Sequence, residues 1–249
     1  MAELQKMESQ AVRQRWRDVG AFSYAFQPIV DVRERRVVSH EALVRGASGE
    51  SAWSVLRHIG QNERPAFDAA SHEVALDLAR RLGLVGRVNL NCSPRTFTDT
   101  EHTVAHLLEI TERAGLSPGD IVLEVTEEEV IVDRAAFARV VADYRRAGVK
   151  LALDDFGAGF SGLNLLADFQ PDIIKLDMHL IRDIHTHGPR QAIVRAVVLA
   201  CSDLGIDVVA EGVETVAELR WCEHAGIHLF QGYLLARPAF ESLPEPRFP

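Results

Sequence analysis

Several short apolar runs in this chain lead into a carboxylate, an amide or a lysine. Val37-Val38-Ser39-His40 leads to Glu41, Val88-Asn89-Leu90 to Asn91, and Ile121-Val122-Leu123 to Glu124 with Glu127 just beyond. Leu151-Ala152-Leu153 leads to Asp154 and Asp155, and Ile173-Ile174 to Lys175, followed by Leu176 and Asp177. Val208-Val209-Ala210 leads to Glu211 with Glu214 beyond, and Leu229-Phe230 to Gln231. One such acid is an ordinary helix cap or surface charge. Four or five brought together would repel one another unless a cation compensates them. Oxygen donors without an ordered Cys or His cluster favour Mg²⁺ or Mn²⁺ over Zn²⁺. Two such ions bridged by a shared carboxylate are a device for phosphodiester cleavage, and the adjacent Asp154 and Asp155 suit the shared position. Consecutive strand residues face opposite ways, so the pleat must break there if both acids point inward; the glycines that follow allow this.

Those glycines also form a decoy. Gly157-Ala158-Gly159-Phe160-Ser161-Gly162 fits the G-x-G-x-x-G dinucleotide fingerprint, follows a strand-like run and has the acidic Asp177 about 20 residues on. Two acids stand immediately before it, where negative charge would repel a pyrophosphate. The glycines read instead as a mobile loop over the metal site.

Positioning these residues requires the runs to end on one face. Strand patterns fall at Tyr24–Val30, Val37–Val44, Arg87–Asn91, Ile121–Val125, Lys150–Leu153, Ile173–Leu176, Asp207–Ala210 and Leu229–Gln231. Helix-period stretches alternate with them: Phe67–Leu82, Asp133–Ala147 and Gln191–Leu204 are closed by Gly83, Gly148 and Gly205. Alternating βα units in a chain of 249 residues predict an α/β fold of the TIM (β/α)8 barrel type. The first two strands depart from the pattern: too few residues separate them for a parallel crossover, so they should form an antiparallel hairpin. In a barrel the C-terminal ends of parallel strands share one mouth, where the polar residues would converge. Residues 1–20 read as an N-terminal leader, helical or frayed, ahead of a single domain over 21–249.

Composition narrows the partners. With 36 acidic and 27 basic residues the formal charge is −9, which argues against a nucleic-acid polymer or an anionic membrane as partner. A small anionic ligand remains compatible if metals or local bases offset the carboxylates. Cys92, Cys201 and Cys222 form no CxxC pair and read as reduced thiols. The charged N-terminus has no signal-sequence character and no run is long enough to span a bilayer, so the expected location is the cytoplasm. His185 and His187 read as solvated loop residues, and Trp53 and Trp221 as packing residues.

The ordered set Gln27-Pro28-Ile29, Glu41-Ala42-Leu43-Val44-Arg45, Asn91-Cys92-Ser93-Pro94, Glu124-Val125-Thr126-Glu127, Asp154-Asp155-Phe156-Gly157, Ile174-Lys175-Leu176-Asp177, Ala210-Glu211-Gly212-Val213-Glu214 and Gln231-Gly232-Tyr233 resembles the EAL-domain cyclic-di-GMP phosphodiesterases. The resemblance spans about residues 22 to 238. Gly162-Leu163-Asn164-Leu165-Leu166 and Phe169-Gln170-Pro171-Asp172 are most similar to EAL domains fused to BLUF blue-light sensors; no sensor is expected here, since only about 20 residues precede the barrel.

The resemblance implies a modified TIM barrel with one antiparallel strand, and hydrolysis of cyclic-di-GMP to the linear dinucleotide 5′-pGpG with two Mg²⁺ or Mn²⁺. It implies that Glu41, Asn91, Glu124 and Asp154 hold one metal, and that Asp154 and Asp155 share in holding the second. Lys175 would orient the attacking water beside Asp155, Glu211 would assist at the second metal or its waters, and Glu127 would anchor the glycine loop through Ser161. Gln27 and Arg45 would contact the ligand, Arg45 at a phosphate, with Glu214 and Gln231 completing the substrate-binding set. Gly46, and the loop Ala158-Gly159-Phe160-Ser161-Gly162, depart mildly from the family pattern, which bears on loop dynamics more than on metal ligands. Degenerate members serve as cyclic-di-GMP receptors or protein-interaction modules, but usually lack a motif acid or the lysine, and this chain keeps them. A homodimer and a regulatory protein partner are further expectations from the resemblance.

Overall fold

The computed structural model describes residues 22–60, 62–93, 100–126, 134–159, 166–167 and 169–249. The expected leader over 1–20, together with Glu127 and Ser161, lies outside these residues.

The chain begins with the hairpin. Strands β1 (Phe22–Asp31) and β2 (Arg36–Gly46) pair antiparallel from Phe22 opposite Gly46 to Asp31 opposite Arg36. The turn is set locally: Asp31 Oδ1 accepts from the backbone N–H groups of Arg33 (2.9 Å) and Glu34 (3.0 Å), and Arg35 takes a left-handed φ of 51°. From β2 the sheet continues in parallel through β3 (Arg87–Asn91), β4 (Ile121–Thr126), β5 (Lys150–Phe156), β6 (Ile173–Leu176), β7 (Asp207–Ala210) and β8 (Leu229–Phe230). β8 pairs antiparallel with β1, so the sheet closes into an eight-stranded barrel in which β1 alone runs against its neighbours. A two-residue strand β9 (Ala239–Phe240) adds to β1 at Ala25 and Phe26, a pairing too short for any alternation to reveal.

Helices α1 (Ala52–Leu56), α2 (Arg64–Arg81), α3 (Thr100–Arg113), α4 (Arg134–Arg146), α5 (Met178–Ile181), α6 (Gly188–Leu204) and α7 (Val216–His224) lie between the strands in sequence. The expected stop after α6 is Gly205, whose φ of 71° ends the helix in the left-handed region. Phe26, Leu76, Leu90, Ile110, Leu123 and Val140 pack one side of the outer α/β layer, and Ile174, Leu176, Val194, Leu219 and Phe230 the other. A fully buried Phe or Ile contributes roughly 1.5–3 kcal/mol relative to exposure. Trp221 packs partly buried against the second cluster, whereas Trp53 is 67% exposed, with the Arg57 guanidinium 4.6 Å from its ring centre. The packing role expected for Trp53 therefore does not hold: α1 is one and a half turns long, too short to bury both faces. Among the described residues no helix is long and apolar enough to cross a membrane.

Inside the barrel, Ile29, Val122, Ala152, Ile173, Val209 and Leu229 make a separate apolar cluster. This floor sets the level of everything above it.

Candidate active site

Strand side chains repeat on one face every two residues. Two residues toward the mouth from each floor position stands a polar one: Gln27 above Ile29, Glu124 above Val122, Asp154 above Ala152, Lys175 above Ile173, Glu211 above Val209 and Gln231 above Leu229. The change from apolar to polar occurs at the same offset on six of the eight barrel strands, β1 and β4 to β8. These strands thus carry a layer of polar groups, most of them buried, on an apolar base.

Lys175 is its centre. Only 1% exposed, its Nζ lies 2.7 Å from Glu211 Oε1, 3.0 Å from Glu124 Oε1, 3.1 Å from Asp154 Oδ1 and 3.3 Å from Glu41 Oε2. An ammonium has three protons to donate, so four carboxylates exceed both its charge and its hydrogen-bonding capacity. Burial works against the Lys175 charge, but Asp154, Glu124, Glu211 and Glu41 outweigh it and hold the amine protonated far above its usual range.

The excess negative charge shows in the acids. Burial, with Asp154 and Glu41 nearby, pushes Glu211 up to about 8 despite Lys175. Burial next to Asp154 and Asp177 pushes Asp155 up to about 6. Glu124 is raised well above the carboxylate range by burial and by its neighbours Glu41 and Asp154, and Asp154 is raised by burial and Glu41. Glu41 goes the other way: burial opposes it, but Lys175 and the amides of Gln231 (2.8 Å) and Asn91 (3.2 Å) hold it ionised. Gln231 also donates to Gln27 Oε1 (3.2 Å), and Gln27 to the Ala236 carbonyl (3.0 Å).

The acids form two triads, Glu41–Glu124–Asp154 and Asp154–Asp155–Glu211, each able to bring one oxygen per residue within 4.8 Å of the others. Asp154 belongs to both. The break in the pleat that this needs lies on Asp155 itself, whose φ is 53°. Between Leu153 and Phe156 the pairing with β6 carries an irregularity: two residues, Asp154 and Asp155, stand opposite the single Lys175, which is the signature of a bulge. The strand therefore runs through both acids to Phe156 instead of ending before them, and the relief comes from Asp155 in place of the glycines that follow. Glu41 is likewise inside its strand, which continues to Gly46.

Two clefts meet at Glu41. One, about 670 Å³, is lined by Gln27, Asp155, Asp177, Glu211, Glu214 and Gln231 among others; the other, about 1000 Å³, reaches from Glu124 and Asn91 toward α2. Glu214 stands at the rim and pairs with Arg182 (2.8 Å). Arg45 lies on the Glu41 face of β2, four residues on, and donates to the Val44 carbonyl (2.8 Å). The structure thus brings Gln27, Glu41, Asn91, Glu124, Asp154, Lys175, Glu211 and Gln231 into one bonded network, with Asp155 in the second triad and Glu214 and Arg45 outside it; Glu127 lies outside the described residues. His185 is exposed, and His187 accepts from the Arg190 N–H at the start of α6, so neither joins the site.

One member was not anticipated. Asn89, 1% exposed, donates from Nδ2 to Glu124 Oε1 at 2.7 Å. Its signal is parity: it stands two residues before Asn91 on the same strand face.

A barrel whose mouth gathers two acid triads around a buried lysine has an oxygen donor set that could hold metal ions. The chain belongs to the EAL domain family, whose model matches residues 9–238. It is 37% identical over 227 residues to the blue light- and temperature-regulated antirepressor BluF of Escherichia coli K12, covering 91% of this chain and 56% of BluF. It is 35% identical over 221 residues to the cyclic di-GMP phosphodiesterase PdeR of the same organism, covering 86% of this chain and 33% of PdeR. Among solved structures it superposes on Klebsiella pneumoniae BlrP1 in its manganese and cyclic-di-GMP complex with a TM-score of 0.86 and 43% identity, over 92% of this chain and 59% of that one. The chain thus spans between a third and three-fifths of these relatives.

Proposed function

We propose that the chain hydrolyses one phosphodiester bond of cyclic-di-GMP to give linear 5′-pGpG, with two Mg²⁺ or Mn²⁺ in the barrel mouth. The observation that carries this reading is the pair of acid triads sharing Asp154 around Lys175. Family membership, the named activity of PdeR and the metal and ligand in the BlrP1 complex support it.

The donor set fits such ions. All donors are oxygens, the hard ligands that Mg²⁺ and Mn²⁺ prefer, and the carboxylate charge exceeds what Lys175 neutralises. Buried Gln231 Oε1 has no hydrogen-bond partner among the described residues, an acceptor left over for a bound water. Glu41, Asn91, Glu124 and Asp154 would hold one ion, and Asp154 and Asp155 the other. Bound there, the ions would lower the pKa of a coordinated water and offset charge on the phosphoryl oxygens.

The rest falls to the chain's own groups. Lys175, locked in its charged form, holds the attacking water in line beside Asp155 and faces the developing negative charge. Glu211, 2.7 Å from Lys175 and beside Asp154 and Asp155, assists at that water or at the second ion. Gln27 and Gln231 contact the ligand on one side, while Arg45 and Glu214 reach it from the rim. The family resemblance further implies that Glu127 would anchor the glycine loop.

The test is to incubate the purified chain with cyclic-di-GMP and Mg²⁺ or Mn²⁺ and follow products by chromatography. Accumulation of 5′-pGpG supports the reading. Tight binding of cyclic-di-GMP with no turnover in either metal would replace it with a receptor role.

A further inference from the structure

We infer that Asp68 and His72 on α2 are positioning residues that clamp the Asn91–Cys92–Ser93 turn and thereby present the Asn91 amide to the metal; this rests on the metal reading above. Asp68, Ser71 and His72 are spaced i, i+3, i+4 and share one face of α2. All three are buried, at 6%, 3% and 6% exposure. A helix face packed on a sheet is ordinarily apolar, and buried polar groups are costly unless bonded.

These groups are bonded to the turn that carries a proposed metal ligand. His72 Nε2 lies 2.9 Å from the Asn91 carbonyl oxygen, which can only accept, so the ring proton sits on Nε2. Asp68 Oδ2 accepts the Ser93 N–H at 2.8 Å, and the Ser71 hydroxyl donates to the Asp68 carbonyl at 2.9 Å. The residue between, Cys92, donates its N–H to the Glu124 carbonyl at 2.8 Å. Each of three consecutive residues is thus tied by one backbone bond, two to α2 and one to β4.

The consequence falls on the Asn91 side chain. β3 ends at Asn91, and past it the described backbone keeps one bond to β4, from the Cys92 N–H to the Glu124 carbonyl. With the backbone clamped, Nδ2 donates to Glu41 Oε1 (3.2 Å), which orients the amide and leaves Oδ1 as its ligand atom. An amide is a weak neutral ligand beside carboxylates, so its share in metal binding depends on being held in place. Partners that orient a ligand typically change metal affinity by roughly 10–100-fold when removed.

Mn²⁺ binding to the purified chain, measured by titration calorimetry alongside metal-free melting curves, separates clamp from packing. His72→Leu should weaken Mn²⁺ binding by roughly 10-fold or more. His72→Gln, whose amide can still donate to the carbonyl, should stay within about threefold of wild type by the same reasoning. Asp68→Ala tests the other end and should lose affinity as His72→Leu does. In turnover, the metal concentration for half activity should rise while the rate at saturating metal recovers. Wild-type affinity in both His72→Leu and Asp68→Ala would overturn the clamp, as would equal losses in His72→Gln and His72→Leu. Absence of Mn²⁺ binding by the wild type would overturn the metal reading and the clamp with it.

Discussion

Replacing Lys175 by Met keeps most of the side-chain volume and removes a buried cation that touches four carboxylates, all within 3.3 Å of its Nζ. Stripping one partner from a buried ion pair costs about 3–5 kcal/mol. At about 2–4 °C per kcal/mol for a domain of this size, the metal-free variant should melt about 6–20 °C below wild type. The loss has an escape route, because carboxylates that repel can take up protons. Melting in chelator should therefore show the full deficit at pH 8 and less than half of it at pH 5.5. Excess Mn²⁺ should close the gap, since the ions replace the missing charge. Turnover of cyclic-di-GMP should nonetheless stay at least ~10³-fold below wild type, equivalent to about 4 kcal/mol of lost transition-state stabilisation. Equal melting points in chelator at pH 8, or a deficit as large at pH 5.5, would refute the reasoning that Lys175 holds together an over-charged ring.

Other perturbations probe the same ring from different sides. Because Glu211 is raised from 4.5 to about 8 in the folded chain, the fold keeps a proton there that the unfolded chain has released; the resulting stability is full below about pH 4.5 and lost as pH rises through 8. The chelator-treated wild type should accordingly lose melting temperature between pH 5.5 and 8.5 more steeply than Glu211→Gln, and parallel slopes would contradict the raised value. Asn89→Leu removes the donor that orients Glu124, a proposed metal ligand, so Mn²⁺ affinity measured by calorimetry should fall roughly 10–100-fold. Gly212→Ala should lower the melting point and the turnover rate together, because Gly212 has a φ of 62° and a Cβ there would stand 2.5 Å from Met178 Cβ, beside Glu211.

What the sequence reveals depends on how the residues speak through a period. Glu41, Glu124, Asp154, Lys175, Glu211 and Gln231 follow apolar runs, and strand alternation carries that pattern directly to the inner face of the barrel. The hairpin was equally legible, since the short link from Asp31 to Arg36 admits no crossover. Asp155 was legible as a chemical type but not as a conformation: nothing local announces that an aspartate, and not a glycine, takes the left-handed backbone. Asp68 and His72 were illegible because they lie on a helix, where their meeting with Ser93 and Asn91 depends on how α2 packs against β3. Asn89 lay between: its parity with Asn91 was visible, its bond to Glu124 on another strand was not.

The central claim is that one carboxylate, Asp154, joins two metal positions that hydrolyse cyclic-di-GMP. The most direct measurement is the rate of 5′-pGpG formation by wild type and Asp154→Asn in Mn²⁺ and in chelator, with folding of both chains checked by circular dichroism. The account predicts product from the wild type in Mn²⁺ only, and none from folded Asp154→Asn in either condition. Product formed in chelator, or a near wild-type rate from Asp154→Asn, would contradict it.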